Sequence, residues 1–456
     1  MKKIFTLIMI LLFTLSTMSY AQEDKEDKKK SEDTEKIKTG WTFGLLPAVA
    51  FDTDLGFKYG GLINFYNFGD GSTYPDYLQS IYLEISRTTK GSGVNQLFFD
   101  SEHMFPKKKI RVTGDLSYLT EQGLDFYGFN GAEVNFNPNL QTEGETDYVS
   151  RMYYRHARKM VRFYADFQGY IIPDKLRWLG GFAFYNFNIS TVDIDRLNKG
   201  KDSVDMLPHT ESLFDKYVSW GLISADEADG GHSQFLKAGL IWDTRDIEAN
   251  PGKGIWTEAL LLTAPSFLGN KESSLTKFVF THRQYFTLIK NRLSFVYRLG
   301  YQGTIQGEAP FYLQTLLISS YSPSVITEGL GGAKSLRGIM RNRVVGNDIA
   351  YGNFEFRWKV IRTVVGKQNL YIALNPFVDI GRVIDPIDVD QTLVQLDPGE
   401  SLTDYFSGND ETFHFTYGCG LHIALNENFV LAINYGMAAN KQDGKSGLYI
   451  GTNWLF

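Results

Sequence analysis

The sequence predicts an all-β protein, a transmembrane antiparallel β-barrel of about sixteen strands with a long outer loop folded inward. Three observations predict it. The first is alternation: Phe354, Phe356, Trp358 and Val360 fall on one side of a period-two segment, and Asn353, Glu355, Arg357 and Lys359 on the other. The next segment repeats it, with Leu370, Ile372, Leu374, Val378 and Ile380 against Tyr371, Asn375 and Asp379. The second is composition: 26 Tyr, 34 Phe and 44 Gly suit strands with aromatic girdles and frequent tight turns. The third is the sorting of connections. Counted from a periplasmic start, the long ones (122–151, 193–233, 306–348 and 384–410) all fall on the outer side. The inner side has mostly tight turns, at Pro106-Lys107-Lys108, Pro173-Asp174, Lys290-Asn291 and Asn426-Glu427. A water-soluble sandwich would turn its apolar faces inward and has no reason to sort its loops, whereas an outer-membrane barrel does both the opposite ways.

Taken in order, the chain opens with Lys2 and Lys3 before an apolar run, Ile4 to Leu15, and a small-residue cleavage site at Ser19-Tyr20-Ala21. Residues 1–21 read as a secretory signal peptide, too short to span a bilayer; the competing reading is a retained N-terminal helix. Residues 22–40 are charged with mixed signs and almost no apolar side chain, a disordered periplasmic tail that serves as a solvated spacer or binds a partner through Lys28-Lys29-Lys30. From 41 to 456 the pattern predicts one domain with strands at 41–52, 56–68, 77–90, 95–105, 109–121, 152–171, 176–192, 234–244, 254–264, 275–288, 292–305, 349–362, 369–383, 411–424, 428–438 and 446–456. On the last of these, Leu448, Ile450, Trp454 and Phe456 share one face. An aromatic at that end resembles the signal by which such barrels are recognised for insertion, and it also closes a sheet.

Within the outer connection 306–347 lies Gly331-Gly332-Ala333-Lys334-Ser335-Leu336-Arg337-Gly338-Ile339. The glycines permit a tight fold-back, and the Arg337 guanidinium can fork two donors onto a carboxylate. Glu355 and Asp379 lie on the polar sides of the two following strands. The reading is a loop that drops into the barrel and pins itself to the inner wall, against the alternative of a solvated loop arginine.

Four motifs in order then resemble the BamA/TamA-type superfamily of outer-membrane barrels, also called bacterial surface antigen barrels. Leu240-Ile241-Trp242-Asp243-Thr244-Arg245-Asp246, followed by Asn250-Pro251-Gly252-Lys253-Gly254, resembles the family's D-[ST]-R-D strand end and P-x-x-G turn. Ser335-Leu336-Arg337-Gly338-Ile339 resembles its [VL]-R-G-[FY] loop motif, with Ile339 where an aromatic is usual, which weakens the packing of the loop tip. Asn353-Phe354-Glu355-Phe356-Arg357 resembles its N-x-E-x-R strand and Phe377-Val378-Asp379-Ile380-Gly381 its F-x-D-x-G strand. The resemblance implies that Arg337 lies inside the barrel and contacts acids at the matching wall positions, Glu355 and Asp379. Asp243, Arg245 and Asp246 either form a charged cluster at the lumen floor or fix the turn with Pro251 and Gly252.

The resemblance further implies assembly or translocation of proteins or other macromolecules at the bacterial outer membrane. The wall would open at the seam between Trp41–Asp52 and Ser446–Phe456, where Gly447 and Gly451 weaken the pairing. Relatives carry folded periplasmic POTRA modules; the 19 residues from 22 to 40 are too few for one, so a bare-barrel member is expected. Its absence also leaves open an accessory, non-transporting barrel of another outer-membrane complex, and a diffusion pore is the remaining reading. Outer-membrane lipids and other outer-membrane or periplasmic proteins are the expected partners. The net charge of −6 gives no reason to expect nucleic acid. No cofactor or metal is expected: the single Cys419 cannot form an internal disulfide, and the seven histidines, at 103, 156, 209, 232, 282, 414 and 422, are scattered. No G-x-S-x-G or H-E-x-x-H motif is present, so an enzyme is not expected.

Overall fold

A computed structural model of the chain describes residues 38–72, 77–105, 110–247, 250–270, 274–318, 329–365, 368–425 and 429–456. The expected signal peptide, nearly all of the tail and the turns at 106–108 and 426–427 lie outside the described residues.

Alternating outward apolar and inward polar side chains hold each segment extended, and short connections place successive segments antiparallel. β1 (Trp41–Pro47) and β2 (Ala50–Asp52) run along β3 (Gly56–Asn67) in one continuous register, so they are halves of a single interrupted strand. There follow β4 (Gln79–Thr88), β5 (Gly93–Ser101), β6 (Ile110–Asp125), β7 (Arg155–Ile172), β8 (Leu176–Ser190) and β9 (Gly230–Asp243). Then come β10 (Gly254–Ala264), β11 (Leu275–Ile289), β12 (Leu293–Gln306), β13 (Asp348–Val365), β14 (Gln368–Asp385), β15 (His414–Leu425), β16 (Phe429–Ala438) and β17 (Ser446–Thr452). Each pairs with the next, and β17 returns to β2, closing a barrel of sixteen strands once β1 and β2 are counted together. Among the described residues no helix is long and apolar enough to cross a membrane; the crossing is made by strands.

The faces follow the alternation. On β13, Phe356 and Trp358 are 44% and 51% exposed on the outside, whereas Asn353 and Glu355 are fully buried inside. Most strand ends differ from expectation by one to four residues, and three of the differences show their cause. The first strand breaks at Ala48-Val49, although Ala48 N still donates to Gly60 O at 3.0 Å. β6 continues to Asp125, beyond the expected end at 121, because a register irregularity after Glu121 lets pairing with β7 resume at Leu124. The last strand ends at Thr452, not 456, because Asn453 adopts φ 70°, a left-handed conformation that breaks an extended repeat.

The outer connections carry their own core. Phe126 meets Tyr217 edge-on at 5.1 Å, and Trp220 meets Tyr405 at 4.9 Å, joining the loops after β6, β8 and β14. Asn130, at φ 60°, donates to Ile387 O and accepts from Ile387 N, both at 2.7 Å. Lys216, on a short helix Leu213–Ser219, reaches Asp397 at 2.8 Å and Glu400 at 2.9 Å. Burial lowers the Lys216 pKa, but the two acids outweigh it and raise the value above normal.

A lysine at the lipid-facing Phe356 is expected to cost about 2–4 kcal/mol in urea titrations of the barrel folded into vesicles. The connection after β14, held by Lys216, has a pH signature. Burial raises the pKa of Glu400, but hydrogen bonds from Tyr405 and Lys216 outweigh it and hold the carboxyl below its usual value. Its contribution is therefore complete above about pH 4.3 and is lost as pH falls through the lowered value. Protection factors in 386–413, which correct hydrogen exchange for its intrinsic pH dependence, are expected to stay flat from neutral pH down to about pH 5 and to fall below about pH 4, a fall that Lys216→Ala reduces.

Candidate functional site

The loop after β12 descends into the lumen, and its residues 329–347 touch three parts of the wall. Arg337 is 1% exposed. Its Nε and Nη2 bond Asp379 Oδ2 and Oδ1 at 2.9 and 2.8 Å, and its backbone N bonds Oδ2 at 3.0 Å. Nη1 lies 2.8 Å from Glu355 Oε1, an ion pair, and the guanidinium sits 3.5 Å over the Phe377 ring. β13 and β14 put both acids inward by parity, since Glu355 pairs with Phe377 and Asn353 with Asp379. Asn353 Nδ2 donates to Ser335 O at 2.7 Å, and Arg298 donates to Lys334 O at 2.7 Å, so the neighbouring wall also grips the loop backbone.

Around this pair the motif packs closely. Ser335 Oγ accepts from Gly331 N at 2.9 Å, holding the fold-back. Leu336 and Ile339 are buried with Leu330, Val344, Ile349 and Val383, so the aliphatic Ile339 fills its place in a packed cluster. Gly338, at φ 103°, lies against β16: a Cβ there would stand 2.6 Å from the Gly436 carbonyl carbon. A Cβ on Gly436 would in turn stand 2.3 Å from Arg337 O. Gly338 N donates to Tyr449 OH on β17 at 3.1 Å. The Tyr449 ring lies where a Gly447 Cβ would be, which gives Gly447 a packing reason; nothing lies within 4 Å of Gly451.

Sequence reasoning singled out one arginine, and the loop carries two more of consequence. Arg341 pairs with Glu121 on β6, which also binds Arg158 of β7. Arg343 donates to Gln442 O, Gly131 O and Val134 O at 2.7–3.0 Å. His414 has one ring nitrogen 2.8 Å from Asp443 and the other 3.1 Å from Glu411, and Glu411 accepts from Ala132 N at 2.7 Å. The only early signal for these was the spacing of three arginines over seven residues, which names no partners.

At the inner end of β9, Arg245 bonds both oxygens of Asp243 at 2.9 and 3.0 Å, Arg177 joins at 3.1 Å, and Arg245 covers the buried Trp256 at 4.4 Å. Asp246 Oδ1 accepts from Gly252 N at 2.9 Å and Ile247 N at 3.0 Å. The trio therefore divides, with Asp243 and Arg245 in a charged cluster and Asp246 bracing the turn. Asn250 in that turn donates to Tyr371 OH on β14 at 3.0 Å, across the floor of the barrel.

Trp454 and Phe456 do not share one face with Leu448 and Ile450, as the alternation predicts. The turn at Asn453 sends both inward, where they are 7% and 8% exposed. Arg357 donates to Phe456 O at 2.8 Å and lies 4.3 Å over Trp454, which also meets the His422 ring at 3.9 Å.

A lipid-facing barrel, with an outer loop drawn into its lumen and fastened by a buried arginine, defines the class of outer-membrane barrels with an internal loop plug. The particular family follows: residues 79–454 match the Omp85 superfamily domain, and the chain belongs to that superfamily. Among solved structures, BamA from Haemophilus ducreyi lacking POTRA domains 1–3 is similar with a TM-score of 0.52 and 14% identity over 91% of this chain and 71% of that one. CdiB from Escherichia coli is similar with a TM-score of 0.53 and 10% identity over 91% of this chain and 63% of that one. At these identities the likeness is one of fold. Comparison with curated proteins gives no match.

Arg337→Ala leaves Glu355 and Asp379 buried without their shared cation. A loss of about 3–5 kcal/mol is expected in denaturant titrations, with faster proteolysis within 329–347. Arg337→Lys is expected to recover only part of it, since an ammonium cannot serve both acids with a planar fork.

Proposed function

We propose that this barrel assembles or translocates proteins at the outer membrane by parting its wall between β2 and β17. The observation that carries the reading is the seam. β13 and β14 pair from Asp348↔Asp385 to Val365↔Gln368, whereas β17 meets β2 only at Tyr449↔Asp52 and Ile450↔Phe51. Thr53 adds hydrogen bonds to Leu448 only: its N and Oγ1 both lie 3.1 Å from Leu448 O, and Leu448 N donates to its Oγ1 at 2.7 Å. β1 pairs with β3 alone among the described residues, so its other edge is open to a further strand. The plug and the aromatic core of the outer connections lie along the barrel axis, which favours passage through the wall and counts against a diffusion pore.

A second reading, an accessory barrel docked to another outer-membrane complex, draws support from apolar side chains on the outer loops, with Val204 81% and Phe267 78% exposed. Cysteines at Phe51 and Ile450, in a chain with Cys419→Ser, would lock the seam. Depletion of the native protein is expected to lower many outer-membrane proteins together, and the oxidised locked chain is expected not to restore them while the reduced one does. A defect confined to one complex, or full rescue by the locked chain, would favour the accessory role.

A further inference from the structure

The strand register and the C-terminal segment point to opposite arrangements. Continuing the pairing Tyr449↔Asp52 and Ile450↔Phe51 would set Leu455 beside Leu46 and Phe456 beside Leu45. Those β1 positions have no partner on that edge among the described residues, and Phe43 and Leu45 are 74% and 66% exposed. Four more ladder residues are thus within reach, yet Asn453–Phe456 turns into the lumen instead. Arg357 holds both of its aromatic residues there: it donates to Phe456 O at 2.8 Å and lies 4.3 Å over the Trp454 ring and 5.3 Å from the Phe456 ring, while His422 meets Trp454 at 3.9 Å and Arg298 and Tyr285 flank Phe456 at 5.3 and 6.4 Å. Arg357 is itself aimed by Glu355, at 3.2 Å, the carboxylate that also pairs with Arg337 of the plug.

We propose that Arg357 is a positioning residue that latches Asn453–Phe456 inside the barrel, keeps the lower edge of β1 free, and ties the state of the seam to the plug through Glu355. Released, the segment zips onto β1 and turns Trp454 and Phe456 to the lipid side, the face that their parity with Leu448 and Ile450 assigns them. Burial of both rings in either arrangement keeps the two states close enough for one guanidinium to choose between them. The significance of the free edge rests on the reading of the seam given above, but the latch itself is a statement about chain geometry.

The test is disulfide formation in isolated outer membranes, with Cys419→Ser as background and no client protein assayed. Leu46→Cys with Leu455→Cys reports the zipped seam; Phe51→Cys with Ile450→Cys, paired in the latched state, reports a folded barrel. With Arg357 present, the first pair is expected to cross-link poorly. Arg357→Gln is expected to raise its yield severalfold, Arg357→Lys less, while the second pair is unchanged. Trp454→Ala, which removes the stacked ring and leaves the Arg357–Glu355 pair intact, is expected to act in the same direction and decides the matter should Arg357→Gln not fold. A high yield with Arg357 present, or no increase in either folded variant, would overturn the latch. Full rescue by the seam-locked chain in the depletion assay would overturn the reading of the seam and leave this result untouched, so the two ideas fail separately.

Discussion

A guanidinium enclosed between two carboxylates governs the inside of this barrel. Removing an arginine and two acids from water costs several kcal/mol per ion, and the return comes only with close geometry and filled hydrogen-bonding positions. Arg337 meets that demand through two bonds to Asp379, a contact to Glu355 at 2.8 Å and the face of Phe377. Such an arrangement is a poor general source of stability and a strong source of specificity. A shift of the loop by one residue would part Arg337 from Asp379 and leave Glu355 with Arg357 alone, so the loop has one seat.

The seat is refined by close approach of backbone. Gly338 and Gly436 allow the loop to lie against β16 with no side chain between them, and Tyr449 reaches the same spot from β17. Arg341 and Arg343 carry the loop to β6 and to the outer connections. One segment therefore touches walls on opposite sides of the lumen, including β16 and β17 on one side of the seam. The plug thus lies beside the thinnest stretch of the ladder, where β17 meets β2 at two residue pairs.

Much of this was legible from residue order. Period-two alternation reports inside and outside directly, because a closed sheet in lipid has only those two environments, and parity alone placed Glu355, Asp379 and Arg357 within. The partners of Arg341, the carbonyls held by Arg343 and the Gly338–Gly436 approach were not legible. They join residues up to 220 positions apart, such as Arg341 and Glu121, and depend on which wall a descending loop faces. Parity misled at the end of the chain for an identifiable reason: one left-handed residue, Asn453, cancels the alternation after it, and the pull of Arg357 and His422 on Trp454 is invisible in one dimension.

The amino-acid order by itself determined the cylinder, its greasy exterior, the sorting of long and short connections and the acids that face inward, since each follows from repeats between near neighbours. Only the three-dimensional packing decided where the loop would seat, which of its arginines would meet which wall, and that the last residues would leave the sheet. Those outcomes are competitions between contacts distant along the chain, and they are settled by the space that the closed barrel leaves inside.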